Sequence, residues 1–392
     1  MGALDGLLVV EAGLLVQGPQ AAATLHDWGA DVIKVELPGF GDQSRWLPVS
    51  SDDRRSAYFN ACNRGKRSVT VDLRSPAGRE VFLRIAGTAD VVITNFKPGT
   101  MDSWGVGYDD IVKTNPRVVY ATGSSFGPVG PDSSREGADL SGQAAGGIIS
   151  TTGRIGGEPS PIGATIADHI ASQNLVGGIL AALVARERTG RGQRVDASLL
   201  GGQIWAQASE YMGYLMTGAV AGPANRSHPL IPGLYGIFTT ADGWIAVVGI
   251  VGAVRGEFYA LIGRPELSER FPSPLLSEDD KARLFPLLDE AFRARTTDEW
   301  CELLAAAGMR HAPVRDYSDV VADDGAWENG YLVKVPGAAG DVTVPGSPVR
   351  FSDTPARAAA DAPELGQHTE EVLLEVGYTW EQISELSESG VV

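Results

Sequence analysis

Along the N-terminal half of the chain, short β-branched runs alternate with longer stretches whose apolar residues recur at helical spacing. The runs at 7–10, 32–36, 69–73, 91–94 and 118–121 each read as a buried strand. Between them, 19–28 and 76–86 carry helical patterns, the second with Ser75 as cap and Pro76 at its first position. This alternation predicts an α/β fold, a Rossmann-like large domain built on a parallel sheet covered by helices. A longer pattern follows Asp168, where Ile170, Leu175, Val176, Ile179, Leu180 and Leu183 predict an amphipathic helix packed on the core. Arg186, Arg188 and Arg191 suit its negative end, Gly190 supplies the stop, and the β-prone Val195 comes next. Asp168 then sits at the positive end, which favours its anion and presents it at an edge of the fold. It is either a helix cap or a carboxylate nucleophile.

The texture changes from Asn225. Runs at 235–239 and 244–248 flank Thr240-Ala-Asp-Gly243 and predict a β-hairpin. Helical patterns at 255–262, 280–294 and 297–307 complete a smaller α+β domain. Beyond 319 the chain is rich in Gly, Pro and Ala and reads as a linker rather than a core, before a short helical pattern at 369–376.

Composition narrows the function. A chain of 392 residues is long enough for two domains. Its net charge of −17, from 32 basic and 49 acidic residues, argues against nucleic acid or an anionic membrane as partner. A small anionic ligand stays open wherever basic residues cluster. Cys62 and Cys301 stand far apart with no CxxC, so neither zinc nor a disulfide framework is indicated, and each is expected as a buried thiol. No charged-then-apolar leader and no apolar run of spanning length are present, and a soluble cytoplasmic protein is the expectation. The first strand-to-helix turn reads VEAGLLVQGPQA, not G-x-G-x-x-G, and no Walker A sequence occurs. A dinucleotide or nucleoside triphosphate in the usual cradle is therefore not expected.

The segment ADHIASQNLVGGILAALVARERTGRGQRVDAS resembles the signature of the class III coenzyme A transferases, the formyl-CoA, carnitine-CoA and bile-acid CoA transferase family that also contains the α-methylacyl-CoA racemases. Asp168, Gly178, Ala181, Ala182, Leu183, Arg186, Thr189, Gly190, Gly192, Gln193 and Val195 carry the match. The resemblance implies transfer of CoA between carboxylic acids, with Asp168 forming an anhydride and then an aspartyl-CoA thioester. Acyl-CoA and a small carboxylic acid would be the substrates, with no permanently bound cofactor and no metal. It also implies an interlocked homodimer, with 1–215 as the large CoA-binding domain, 216–320 as the small one, and 321–392 as linker and return to the large domain.

Further matches assign residues. Val16, Gln17, Gly18 and Pro19 match a family turn that approaches the thioester. There Gly18 lets backbone come near a ligand, and the Gln17 amide can donate to an oxyanion. Asn63, Lys66 and Arg67 belong to NRGKRS, whose Lys contacts the CoA phosphates in relatives; with Arg64 it is the densest positive cluster of this half, or else a solvated surface run. Asn95 and Phe96 match NFxPG, which lines the adenine and pantetheine path, and Arg45 follows GFGD in a matching segment. Leu37 stands where relatives often carry a phosphate-binding Arg. The glycine-rich lid of relatives is replaced by SHPLIPGLYG, in which His228 reads as a surface loop residue. Ala138-Asp139 occupies the place of the racemases' His-Asp, so one base needed on the α-carbon is missing. Asp139 then serves as a second carboxylate near the nucleophile or as a cap. A racemase using Asp139 and Asp168 with another base, and a non-catalytic CoA-binding protein of the same fold, are the alternatives.

Overall fold

The structure is a computed structural model that describes every residue except Ala253, Ala338, Ala339 and Ala359. The chain divides into two compact units, one of residues 1–146, 163–206 and 324–392, the other of 147–162 and 207–323.

The first unit is built on a six-stranded sheet of β1 (Leu8–Ala12), β2 (Asp31–Glu36), β3 (Arg67–Thr70), β4 (Val91–Thr94), β5 (Val119–Ser124) and β6 (Arg194–Ser198). All pairings are parallel and the order is β3-β2-β1-β4-β5-β6. Alternation along each strand divides the core between the two faces. Val9, Val32, Val91 and Val119 pack with Leu25, Leu175, Val176 and Ile179 of helices Gln17–Asp27 and Ile166–Thr189. Val10, Ile33, Val69 and Val92 pack on the opposite face with Phe82 and Ile85 of helix Pro76–Ala86.

The run that follows helix Ile166–Thr189 is shaped by packing. Gly190 ends the helix with φ 71°, and its N–H donates to Arg186 O at 2.8 Å. Gly192 lies so close to β5 that an added Cβ would come within 1.8 Å of Val118 O. Gln193 O accepts from Tyr120 N at 3.0 Å, and buried Arg186 pairs with Asp90 at 3.0 Å. This run therefore docks the long helix onto the sheet.

The C-terminal stretch expected as a linker contributes to the core. Strands β10 (Leu332–Val335) and β11 (Val342–Pro345) form an antiparallel hairpin with Val335 and Val344 buried, while Ala338, Ala339 and Ala359 lie outside the described residues. Phe351 packs edge-on against Trp28 at 5.5 Å. Beyond it the chain runs along β3, the free edge of the sheet. Gly65 N donates to Asp361 O at 3.0 Å, His368 N to Ser68 O at 2.9 Å, and Thr70 N to Thr369 Oγ1 at 3.0 Å. Helices Thr369–Glu375 and Trp380–Glu388 then bury Val372, Leu373 and Ile383 on the core.

The second unit has an antiparallel sheet of β7 (Leu234–Thr239), β8 (Trp244–Ile250) and β9 (His311–Pro313). Its core is aromatic, with Phe238 stacked on Phe292 at 5.5 Å and Phe292 edge-on to Trp300 at 5.0 Å. Helices Val254–Leu261, Glu278–Phe292 and Thr297–Ala306 cover it, the last two capped by Ser277 and Thr296. Cys62 is buried, whereas Cys301 is only half-buried. Among the described residues no helix is long and apolar enough to cross a membrane.

Candidate active site

Strands β1 and β4 are neighbours, and the chain leaves them toward opposite edges of the sheet. At such a switch point the loops beyond the strand ends part and leave a crevice. Here the crevice is an open cleft. Leu14, Leu15 and Gln17 enter it after β1, Asn95, Phe96 and Lys97 after β4, and Ser124 and Ser125 at the end of β5. Asp168 and Ala138 complete its wall. A second, more apolar lobe of about 700 Å³ is lined by Leu37, Phe40, Val71, Leu73 and Trp104, and shares Leu14, Gln43 and Phe96 with the first.

Asp168 stands in the first turn of helix Ile166–Thr189, but it does not cap it. Asp139 does that from outside. Its Oδ1 accepts from Ala167 N at 2.7 Å and Asp168 N at 3.3 Å, and its Oδ2 accepts from Gln143 Nε2 at 2.7 Å. The Asp168 carboxylate itself receives no donor among the described residues. Burial, with the Asp139 charge behind it, pushes Asp168 up to about 7. The helix terminus was expected to favour the anion; desolvation and like charge outweigh it here. A carboxylate without hydrogen-bond donors keeps its lone pairs available for attack.

Gln17 is buried, with Nε2 3.4 Å from Ser124 O. It opens helix Gln17–Asp27, whose cap residue Val16 supplies no side-chain acceptor, so the first amides of that helix have no intrahelical partner. Asn95 is bonded twice to Leu14, accepting from its N–H and donating to its carbonyl, both at 2.8 Å. Phe96 leans edge-on against Trp104 at 5.3 Å, between the two lobes.

The basic residues expected to meet phosphate are engaged elsewhere. Lys66 is fully buried, its ammonium 2.9 Å from each of Glu11, Pro19 O and Asn63 Oδ1. Asn63 is buried beside it, and Arg64 is buried on Asp27. Arg67 pairs with Asp31, Glu371 and Glu375. Arg45 grips both oxygens of Glu36 at 2.8 Å and covers the Phe59 ring. Hence Asp168, Gln17, Asn95 and Phe96 line the cleft, with Asp139 behind Asp168, while Val16, Arg45, Asn63, Lys66 and Arg67 lie outside its wall. Gly18 is held against the Asn95 side chain, 3.3 Å from where a Cβ would stand. Besides Lys97, two cations that the sequence did not single out line the lobes: Arg74 on the apolar one and Arg135 on the one that holds Asp168. Both are half to mostly exposed, and nothing in spacing marked them. His228 lies in the second unit, where its Nε2 is 3.1 Å from Glu210. Among the described residues no cluster of three or more His, Cys, Asp or Glu side chains is placed to hold a metal ion.

The chain matches the profile of CoA-transferase family III over residues 4–369. The chain belongs to that family. It is 31% identical to the human succinyl-CoA:glutarate CoA-transferase, covering 99% of this chain and 90% of that one. With the succinyl-CoA:mesaconate CoA-transferase of Haloarcula marismortui it shares 34%, covering 96% and 97%. Among solved structures, a CaiB/BaiF family protein from Brucella suis superposes with a TM-score of 0.86 at 35% identity, covering 96% and 99%. This family III CoA transferase is thus an enzyme that moves CoA between acids, with CoA thioesters as substrates.

Proposed function

We propose that the enzyme transfers CoA between two carboxylic acids through covalent intermediates on Asp168. The observation that carries this is a donor-free carboxylate on the wall of the switch-point cleft. The ionised Asp168 oxygen attacks the thioester carbonyl of the donor; the C–S bond breaks and yields a mixed anhydride plus CoA thiolate. The thiolate attacks the Asp168 carbonyl of that anhydride, which releases the donor acid and leaves an aspartyl-CoA thioester. The acceptor carboxylate attacks this thioester, forming a second anhydride and thiolate. Return of the thiolate to the acyl carbonyl gives the new CoA ester and frees Asp168. Each step develops an oxyanion, and the Gln17 amide with the open N–H groups of its helix supports it. Asp139 holds the helix turn that presents Asp168.

The apolar lobe suits the adenosine end of CoA, with Phe96 at the junction toward the thioester. Arg74, in its wall, pairs with Asp72 at 2.8 Å but stays mostly exposed, and it takes the phosphate role that the more enclosed Lys66 and Arg67 do not fill. The activities of the relatives, on succinyl-CoA with glutarate or mesaconate, make small dicarboxylic acids the first substrates to try. A homodimer in which the chains interlock accounts for the apolar surface of helix Ala208–Thr217, where Leu215 and Met216 are exposed.

The test is incubation of the enzyme with succinyl-CoA and, separately, with a 2-methylacyl-CoA in heavy water. A mass increment on the Asp168 peptide, absent from Asp168→Asn, is expected, with no deuterium entering the α-position of a 2-methylacyl-CoA. Rapid α-exchange without an adduct would replace this reading with the racemase one.

A further inference from the structure

Below the cleft, four side chains form a balanced cluster of charge with no exposed surface: Lys34, Lys66, Glu11 and Asp42. Lys34 Nζ lies 3.1 Å from Glu11 and 2.8 Å from Asp42, and Lys66 Nζ lies 2.9 Å from Glu11. Buried ion pairs seldom repay their desolvation in stability, so what they hold in place is the informative question. Here three members reach the backbone that follows β1, two of them in the loop joining it to helix Gln17–Asp27 and one in the first turn of that helix. Lys34 Nζ donates to Gly13 O at 3.1 Å, Asp42 Oδ1 accepts from Leu15 N at 3.0 Å, and Lys66 Nζ donates to Pro19 O at 2.9 Å.

In the middle of this loop Leu15 has φ 63°. For an L-residue that is not Gly, Asn or Asp this conformation is strained and persists only where its surroundings impose it. Leu15 follows the residue that Asn95 holds and precedes Gln17 by two positions, and all three line the cleft with Asp168.

We propose that Asp42, backed by Lys34, is a positioning residue for the transferase reaction: it clamps Leu15 in the left-handed conformation that aims Gln17 at the thioester. Lys66 anchors the first turn of the helix that follows, through Pro19 O. The inference rests on the Asp168 reading, since it assigns how the oxyanion support for that reaction is held. Asp42 touches no substrate in this scheme. Its Oδ1 also accepts from Ser44 N and Oγ, both at 2.8 Å, and its effect on the loop travels through the hydrogen bond to Leu15.

The experiment compares Leu15→Gly, Leu15→Ala and Leu15→Val in the otherwise unchanged enzyme, then the Gly and Ala variants again with Asp42→Ala, which removes the acceptor that Asn would keep. Gly and Ala both remove the side chain, and they differ in that only Gly adopts positive φ without penalty. With the clamp intact, the kcat order is Gly at or above Ala, and Ala well above the β-branched Val. With Asp42→Ala, kcat falls, Gly exceeds Ala by about tenfold, the penalty for a left-handed L-residue, and the KM of the Gly variant for the acyl-CoA stays within about twofold. Equal kcat for Gly, Ala and Val, or a Gly-to-Ala ratio that Asp42→Ala leaves unchanged, overturns the proposal. If Asp42→Ala does not fold, the same comparison is made with Lys34→Met added, which leaves no ammonium unpaired. Failure of the Asp168 reading shows separately, as activity retained by Asp168→Asn.

Discussion

At the scale of single residues, the balance at Asp168 makes function oppose stability. Its carboxyl titrates near 7, whereas an unperturbed Asp titrates near 3.8. The folded state therefore binds a proton more tightly than the unfolded state, and its stability falls as pH rises from about 4 to about 7. Asp168→Asn removes that penalty. The melting temperatures of the two proteins should coincide below about pH 4, separate as pH rises, and differ most above about pH 7, with the inactive variant the more stable. Nucleophilic attack needs the anion, so the rate of the first half-reaction should drop about tenfold per pH unit well below 7. A pH-independent adduct rate between 5 and 8, or an Asn variant less stable at pH 8, would contradict the assigned environment. Asp168 itself was legible in the sequence from its place at the head of a periodic helix. The direction of its titration was not, because that depends on Asp139, 29 residues away in sequence and in contact only through folding. The partners of the NRGKRS cluster were hidden for the same reason. Local sequence shows Lys66 and Arg64 as a dense positive patch, yet their partners Glu11 and Asp27 come from β1 and the end of helix Gln17–Asp27.

Among the elements, those that obey one period were readable, and those that do not were missed. The five early strands alternate β-branched residues with turn signals, and helix Pro76–Ala86 announces itself with Ser75 and Pro76. Helix Leu199–Ala206 has two glycines and no polar face, so no period marks it. The β10–β11 hairpin lies within Gly, Pro and Ala, and its few valines gain meaning only from the surface they meet. In the signature run after Asp168, Gly190 was read as the helix stop, while the packing role of Gly192 needed the fold to show it. Gly192→Ala tests that role. The new Cβ meets Val118 O, so helix and strand must part and thermal stability should fall by several degrees, roughly 2–3 kcal/mol. Whatever enzyme stays folded should keep its KM for acyl-CoA, because Gly192 lies outside the cleft wall. A KM change at unaltered stability would place this run in the substrate site instead.

At the scale of the whole molecule, the proposed homodimer is tested by the apolar area left open on each unit. Trp205 in the first unit is 74% exposed and Met216 in the second 77%, values that large apolar side chains rarely keep in water. Sedimentation at micromolar concentration should give twice the mass of one chain, and a monomer would exclude the interlocked assembly. The covering of β3 by residues 361–369 has a different consequence, which concerns synthesis rather than the finished enzyme. The sheet's last strand, β6, ends at Ser198, but the segment that pairs with the β3 edge is made about 160 residues later. At about 5–20 residues per second, the nascent enzyme carries an open strand edge for roughly 10–30 s. Unpaired edges template association between chains. On crowded ribosomes the hazard is therefore greatest after the large sheet has formed and before its C-terminal cover has emerged, a window set by gene order and closed by the final thirty residues of the chain.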